Sequence, residues 1–136
     1  MDKLDLAYAA GFFDGEGSVG VYWYKSVQRF RCVLAVSNTD LNIIEWFRQH
    51  WGGSTIKHKS ARQHKQCYLW SCNSRPKMAE FLHDVLPYLR EKRPQAELAL
   101  RYFETTCAPG QRMTDEVRAH RHDIVARMKE LKHATA

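Results

Sequence analysis

The residues best suited to chemistry in this 136-residue chain are two carboxylates set among glycines near the N-terminus. Asp14 and Glu16 alternate with Gly15 and Gly17 at the end of a segment whose Leu and Ala content favours a helix. Flanking glycines free the backbone to place the Glu16 carboxylate, with a main-chain carbonyl beside it, on a hard divalent cation. The same residues are also typical of an ordinary helix that ends in glycine and carries surface acids.

Small residues occupy one face of this predicted helix. Ala7, Gly11 and Gly15 recur at intervals of four, which places them on one side of an α-helix. Small side chains at that spacing allow a second helix to approach closely, for purely steric reasons.

Positive charge is concentrated in the middle of the chain. The net charge of +6 divides into −3 over residues 1–20, +8 over 21–93 and +1 over 94–136, and no acid occurs between Trp46 and Ala79. A basic block of this kind is the electrostatic footprint of a protein that binds a polyanion, although a solvated basic face gives the same pattern.

Neither the hydropathy nor the cysteines indicate a membrane or a secreted protein. No apolar run approaches the roughly 20 residues of a membrane-spanning helix, and the N-terminal residues are acidic where a signal peptide is basic. Cys32, Cys67, Cys72 and Cys107 form no CxxC pair, so free thiols are favoured over a zinc site. We expect an intracellular protein of the cytoplasm or an organelle, without a membrane partner.

Hydrophobic periodicity predicts two helix–hairpin units followed by three helices. Helices are expected over about 4–14, 41–50, 76–88, 94–105 and 114–132, and strands over 18–25, 29–36, 54–59 and 66–73.

In the second strand Phe30 and Cys32 alternate with Arg29 and Arg31, which predicts one apolar and one basic face. Arginine and lysine suit guanine edges and phosphates, and asparagine suits adenine. If no bulge shifts the strands, Val19, Val21 and Trp23 should face inward. The candidate DNA-binding residues are then Tyr22, Tyr24, Arg29, Arg31, Lys57, Lys59, Ser71 and Asn73.

The string AAGFFDGEG, residues 9–17, resembles the signature of the LAGLIDADG homing endonucleases. It keeps two glycines and the first Asp of that signature, and it has Glu16 in place of the second Asp. A later segment, residues 86–96, resembles the second recurrent patch of the family, a Leu-rich turn that ends in Lys-x-x-Gln-Ala. The resemblance covers about residues 4–105.

The resemblance implies an α+β protein with the αββαββα fold of that family, a saddle-shaped antiparallel sheet and C-terminal helices. A single domain over residues 1–136 with one motif would need a homodimer to build two active sites. The symmetric dimer implies a palindromic or near-palindromic DNA target of roughly 20 base pairs. The motif helices of the two chains would then form the interface, through Ala7, Ala10, Gly11, Asp14 and Gly15.

The resemblance also implies a metal-dependent active site. Glu16 and Gly15 would hold Mg²⁺, or Mn²⁺ in its place, with Ca²⁺ able to bind without supporting cleavage. Lys92 would act on the scissile phosphate or the attacking water, and Asn38 either orients water or caps a helix. The candidate catalytic residues are Glu16, Lys92, Asn38, Asn42 and Gln95.

The function predicted in this way is a site-specific DNA endonuclease that makes metal-dependent double-strand breaks. Two alternatives use the same scaffold: a sequence-specific DNA-binding regulator that does not cleave, and a maturase that binds intron RNA. The joint presence of Glu16, Lys92 and Asn38 favours the nuclease, because a protein that only binds DNA needs no metal carboxylate.

Overall fold

Helices and hairpins alternate through the first half of the chain, and helices follow. The computed structural model describes residues 1–59, 65–105 and 112–134, apart from the side chains of Lys59 and Ala134. In that part of the chain the elements are α1 (Lys3–Glu16), β1 (Gly17–Tyr24), β2 (Arg29–Asn38), α2 (Leu41–Trp51), β3 (Ser54–Lys59), β4 (Gln66–Ser71), α3 (Arg75–Val85), α4 (Arg93–Glu104) and α5 (Asp115–Ala134). A short 3₁₀ turn, Leu86–Tyr88, follows α3. Within these ranges no helix is both long and apolar enough to cross a bilayer.

The four strands form one antiparallel sheet with the order β1-β2-β4-β3. β1 and β2 pair from Gly17 opposite Val36 to Tyr24 opposite Arg29, and β3 and β4 form the second hairpin. The two hairpins meet only along Ala35–Asn38 of β2, so no described strand covers the other edge of β2 before that point. The predicted α+β class, the αββαββα order and the C-terminal helices are confirmed.

The two faces of the sheet differ in burial. Residues paired in an antiparallel sheet share a face, and the face that carries Val19, Val21, Val36 and Trp70 is buried under the helices. This burial confirms the predicted inward direction of the two β1 valines. We call the opposite side the open face; its residues are Ser18, Gly20, Tyr22, Tyr24, Arg29, Arg31, Val33, Ala35, Ser37, Ser54, Ile56, His58, Cys67, Leu69 and Ser71.

Helix α1 ends two residues later than the sequence predicts. Gly15 and Glu16 are helical, and the chain leaves the helix at Gly17. A Cβ at position 17 would overlap the ring of Phe13, so glycine is required for β1 to start this close to the helix. The Glu16 carboxylate therefore stands in the last turn of α1 and not in a loop after it.

Aromatic side chains fill the core between the sheet and helices α1 to α3. The ring centres of Phe47 and Trp70 lie 5.3 Å apart, and the ring of Phe81 lies 5.2 Å from those of Trp70 and Phe13. The indole N–H of Trp70 donates to the carbonyl of Gly52 at 2.7 Å, which satisfies the polar end of a fully buried ring. These contacts fix α1 and its acidic end relative to the sheet.

Helix α5 braces the β1–β2 hairpin from the helix-covered side. The ring of His122 lies 5.0 Å from that of Trp23 and 4.7 Å from that of Phe30. The neighbouring Arg121 is buried, and its Nε donates to the hydroxyl of Thr105 at 2.8 Å. The last helix thus supports the hairpin that carries half of the candidate DNA-binding residues.

Candidate functional site

Asp14 fastens the segment that carries Lys92 to the end of α1. Its carboxylate accepts hydrogen bonds from the backbone N–H of Arg90 at 2.9 Å and of Lys92 at 3.0 Å. Its own carbonyl accepts from Lys92 Nζ at 2.6 Å, a bond to a cation and therefore a strong one. The carboxylate of Asp14 is thus engaged within its own chain, as a structural role requires, and the lysine ammonium is held at the helix end.

A pocket of about 340 Å³ opens beside this connection, and we call it the α1-end pocket. It brings together two of the five predicted catalytic residues, Lys92 and Gln95. Gln95 is only 7% exposed, and its Oε1 has no partner among the described residues. An unpaired buried acceptor costs about 1–3 kcal/mol, so this oxygen is suited to accept from water or a ligand. The residues that line the pocket are Asp14, Ser18, Val19, Glu91, Lys92, Gln95 and Lys132.

Glu16 presents an exposed carboxylate in the last turn of α1, next to Gly15. No side chain in the described ranges forms a hydrogen bond or ion pair with it. The last turn of α1 contains no basic residue, and the C-terminal end of a helix carries a partial negative charge. This helix end therefore suits a cation, and an oxygen donor set fits Mg²⁺ in particular.

The described residues of one chain do not supply a complete metal centre. Among the described residues, no three His, Cys, Asp or Glu side chains lie close enough together to hold an ion. A cation at Glu16 would need further oxygen ligands, from the main chain of Gly15, water, phosphate or a second protein chain.

The two predicted catalytic asparagines lie elsewhere. Asn38 is the last residue of β2, and its Oδ1 accepts from the backbone N–H of Asp40 at 2.8 Å. Asp40 is the N-cap of α2 and accepts from the N–H of Asn42 at 2.9 Å. Asn42 lines a separate depression beside Asp5 and Tyr8 of α1. Neither asparagine lines the α1-end pocket, and Asn38 orders the turn before α2 instead.

Five of the predicted DNA-binding residues lie on the open face. Tyr22 stands opposite Arg31, and Tyr24 opposite Arg29, across the β1–β2 hairpin. The guanidinium carbon of Arg31 lies 5.8 Å from the centre of the Tyr24 ring. Ser71 has the same orientation on β4. The alternation of cations and aromatic rings on this face is suited to nucleic acid.

Strand β3 has the opposite orientation from the one predicted. Lys57 pairs with Tyr68, two residues from the buried Trp70, so Lys57 lies on the helix-covered side of the sheet. Ile56 and His58 take the open face, and Ile56 is 48% exposed. The predicted orientation of Lys57 was therefore wrong, because alternation shows only that neighbouring residues point apart and not which of them points inward.

Two further predicted DNA-binding residues fall outside the strands or outside the described side chains. Lys59 ends β3 opposite Gln66, but its side chain lies outside the described part of the structure. β4 ends at Ser71, two residues earlier than predicted, so Asn73 lies exposed in the connection to α3. Asn73 lines a cleft together with Arg31 and keeps a place near the open face.

The small-residue face of α1 is uncovered. Ala7, Gly11 and Gly15 are exposed, and a Cβ on either glycine would meet no atom within 4 Å. Leu4 and Tyr8, which sequence analysis did not select, lie beside them with 81% and 54% exposure. An exposed apolar strip with room for close approach is typical of an interface with another protein surface.

Ala10 does not belong to this strip. It is fully buried with Ala9 and Phe13 on the side of α1 that faces the core of its own chain. Its predicted place in the interface between chains was therefore wrong. Ala10 lies three residues after Ala7, and at that position of α1 the side chain points toward the core.

The cysteines that the structure describes form no disulfide. Cys32, Cys67 and Cys72 are free thiols, and Cys107 lies outside the described residues. Burial raises the pKa of the Cys32 thiol to about 12, so this group is protonated at neutral pH.

The architecture matches solved structures of homing endonucleases. I-CvuI, bound to the I-CreI target in the presence of magnesium, superposes with a TM-score of 0.72 at 20% identity, over 95% of this chain and 82% of that one. The archaeal intron-encoded I-Vdi141I, bound to DNA, gives 0.76 at 16% identity, over 96% and 86%. The LAGLIDADG homing endonuclease I-GzeII, bound to its DNA target, gives 0.68 at 18% identity, over 90% of this chain and 44% of that one.

The chain has the LAGLIDADG homing endonuclease fold. The likeness is one of structure, because the sequence matches no family model and no curated protein.

In this LAGLIDADG fold, α5 contributes a residue that sequence analysis missed. Lys132 lines the α1-end pocket, donates a hydrogen bond from Nζ to the Tyr22 hydroxyl and lies 4.5 Å from the centre of that ring. A Cβ at Gly20 would approach to 2.8 Å of the same ammonium and 2.6 Å of the Tyr22 hydroxyl. The available signal was a glycine inside a strand, which marks a place where another group comes close.

Proposed function

We propose that this chain is a site-specific DNA endonuclease that acts as a homodimer and requires a divalent cation. The observation that carries the proposal is the exposed carboxylate of Glu16, which has no partner among the described residues and stands in the same helix end to which Asp14 fastens Lys92. Lys92 and the buried Gln95 line the α1-end pocket, and Glu16, which does not line that pocket, stands in the adjoining last turn of α1.

The homodimer supplies the ligands that a single chain lacks. Packing of α1 against its symmetry copy through Ala7, Gly11 and Gly15 brings two copies of Glu16 close to the twofold axis. Leu4 and Tyr8 would be covered by the same contact, which removes an exposed apolar strip from water. Twofold symmetry implies a palindromic or near-palindromic target.

The cofactor that fits best is Mg²⁺, with Mn²⁺ as a substitute and Ca²⁺ as an ion that binds without supporting cleavage. Glu16 and the carbonyl of Gly15 would hold it, and the bound ion would supply an activated water and a stabilised leaving oxygen. Lys92 Nζ then places a positive charge beside the phosphate under attack, where negative charge develops. Gln95 Oε1, which has no partner among the described residues, can accept a hydrogen bond from a water molecule.

The open face is the proposed DNA interface. Tyr22, Tyr24, Arg29, Arg31 and Ser71 stand on it in register, and no described helix buries its arginines. The sheet of two chains would cover roughly 20 base pairs, from strand lengths of ~3.3 Å per residue. Duplex DNA is therefore the substrate proposed.

Selection of cleaved sequences from a random duplex library with Mg²⁺ tests the function directly. Wild-type protein is expected to cut both strands of the recovered target. Glu16→Gln is expected to abolish cleavage and largely preserve binding, because the amide keeps the shape and loses the metal-binding charge. Glu130→Gln, at an exposed position on α5, is the matched control and should cut normally.

The outcomes separate the alternatives. Full activity of Glu16→Gln would contradict its role as a metal ligand. Specific binding without cleavage at any divalent cation concentration would instead support a DNA-binding regulator. Protein-dependent splicing of a host intron would support a maturase that recognises intron RNA, an activity compatible with DNA cleavage.

A further inference from the structure

A second polar cavity, separate from the α1-end pocket, lies where β2 extends beyond β4. We call it the β2-edge cleft; its volume is about 460 Å³. It opens at the point where the chain passes from β4 into α3, and none of the described Asp or Glu residues lines it. The lining residues are Phe30, Arg31, Cys32, Asn73, Arg75, Met78, Tyr102 and Phe103.

Arg75, the first residue of α3, is held in this cleft by aromatic rings. Its guanidinium carbon lies 5.2 Å from the ring centre of Tyr102 and 5.8 Å from that of Phe103. Cation–π contacts of this kind hold the planar guanidinium in one orientation. In the part of the chain that the structure describes, Arg75 forms no ion pair. Its charge is therefore fixed in place and not neutralised.

The other groups in the cleft add positive charge and hydrogen-bonding capacity without adding an anion. Arg31 stands on the open face with its guanidinium near the Tyr24 ring, and Asn73 is exposed beside it. Cys32 remains a neutral thiol, because burial raises its pKa to about 12. At neutral pH the cleft thus combines two cations with one amide.

We propose that the β2-edge cleft binds a backbone phosphate of duplex DNA, with Arg75 as the central contact and Arg31 and Asn73 beside it. The proposal rests on the proposed function, which places DNA on the adjoining open face. A planar guanidinium matches two phosphate oxygens at once, and a fixed guanidinium loses little conformational freedom on binding. Such a contact sets the position of the protein on the duplex and carries no sequence information.

No pattern in the sequence indicates Arg75 as a DNA contact. It precedes Pro76 at the start of a helix, whereas alternation along a strand identifies only strand residues. The cleft exists because β2 is longer than β4, the strand that pairs with its second edge. This difference depends on how the strands pair and not on the local sequence around Arg75.

The salt dependence of DNA binding tests this phosphate contact without any cleavage. Affinity for a pool of random-sequence duplexes, longer than the expected target, is measured in EDTA over a series of salt concentrations. For Arg75→Gln, the slope of log affinity against log salt should become shallower by about 0.9 for each chain on the DNA. Arg75→Lys keeps the charge and should keep the slope, even if it loses the fork geometry.

Lys77→Gln provides the matched control, because it removes one positive charge from the same helix at a residue that does not line the cleft. It should leave the slope unchanged. Arg31→Gln changes an exposed residue and should lower the slope as Arg75→Gln does. It keeps the test usable if substitution of the stacked Arg75 prevents folding. A wild-type slope in folded Arg75→Gln, or an equal loss in Lys77→Gln, would overturn the proposal.

These measurements are independent of the nuclease test. If Glu16→Gln stops cleavage but Arg75→Gln keeps the wild-type slope, the phosphate contact is wrong and the proposed function stands. If the slope falls but wild-type protein never cleaves, the contact stands and the endonuclease activity is wrong. Absence of any wild-type DNA binding would overturn both.

Discussion

Asp14 and Glu16 are two residues apart in one motif, yet their environments differ. The Asp14 carboxylate accepts two backbone N–H groups from the Arg90–Lys92 segment, whereas the Glu16 carboxylate is exposed and unpaired among the described residues. A helix turns about 200° over two residues, so the two side chains point to different surroundings. One acid therefore organises the site, and the other remains available for a cation.

Cys32 gives a pH dependence that can be assigned to one residue. Its pKa is raised from 9.0 to about 12 by burial, so between those values the unfolded chain releases a proton that the folded chain keeps. The free energy of unfolding should therefore fall as the pH rises above 9. Between pH 8 and 10 Cys32 accounts for on the order of 1 kcal/mol of that loss.

Urea unfolding of wild-type protein and Cys32→Ala at pH 8 and pH 10 measures this contribution. The variant should lose less stability over the interval, although it is less stable at pH 8. Equal losses in the two proteins would show that the Cys32 thiol is not protected from ionisation.

At the scale of elements, the sequence predicted the orientation of a strand wherever its alternation of polar and apolar residues agrees with burial. Val19 and Val21 could be assigned to the core because the same strand pairs with the alternating Cys32 and Leu34. The orientation of β3 could not be assigned correctly from the sequence, because its alternation of polar and apolar residues is weak. β3 is also an edge strand, and it leaves Ile56 exposed. Edge position is a tertiary property, and it overrides the preference of a single apolar residue.

Contacts between distant elements could not be predicted in the same way. The approach of Lys132 to Tyr22 joins residues 110 positions apart, and no local pattern encodes it. The buried side of α1 is a similar case, since Ala10 and Gly11 are both small and only packing shows which one faces the core.

The packing of α5 on β1 can be tested at Gly20. A methyl group there would displace Lys132 Nζ and the Tyr22 hydroxyl, so Gly20→Ala should cost about 0.5–2 kcal/mol through loss of their contact. Lys132→Ala should cost a similar amount. Both changes break the same contact between Lys132 and Tyr22. In denaturant unfolding, the double variant should therefore lose less stability than the sum of the losses in the two single variants. Strict additivity would show that Gly20 does not act through Lys132.

The exposed face of α1 can be tested at Gly11. Leucine fits the open space around this residue in one chain but prevents the close approach of a second helix. Gly11→Leu should therefore yield a folded monomer in sedimentation velocity, whereas the wild-type protein is expected to sediment as the proposed dimer. Ala119→Leu, on the exposed surface of α5, controls for added apolar bulk. An unchanged dimer in Gly11→Leu would remove α1 from the interface.

At the scale of the whole molecule, charge and shape act together. The net charge of +6 comes from the middle of the chain, and the structure places Arg29 and Arg31 from that block on the open face. Lys57 from the same block lies on the opposite face, so the excess charge is not confined to one surface. A positive potential over much of the molecule should speed its encounter with DNA, and the open face should fix the orientation.

Binding of DNA should weaken steeply with salt. Several phosphates neutralised per dimer imply a linear fall of log affinity with log salt, and about six contacts correspond to a loss of roughly 10³ in affinity between 50 and 200 mM. Fluorescence anisotropy with a labelled duplex measures the slope. A flat response would contradict binding through a basic surface.

The bond between Asp14 and the Arg90–Lys92 segment has a consequence for synthesis in the cell. It joins parts of the chain 76 and 78 positions apart, so the end of α1 is made early and the lysine it holds is made late. A ribosome must have released almost the whole sheet and α3 before this lysine can reach its place. Chains that stop short of it, through a premature stop codon or a stalled ribosome, would carry the motif yet lack the lysine that we propose acts beside the phosphate. Under the proposed function, incomplete translation products should therefore be harmless to the host chromosome.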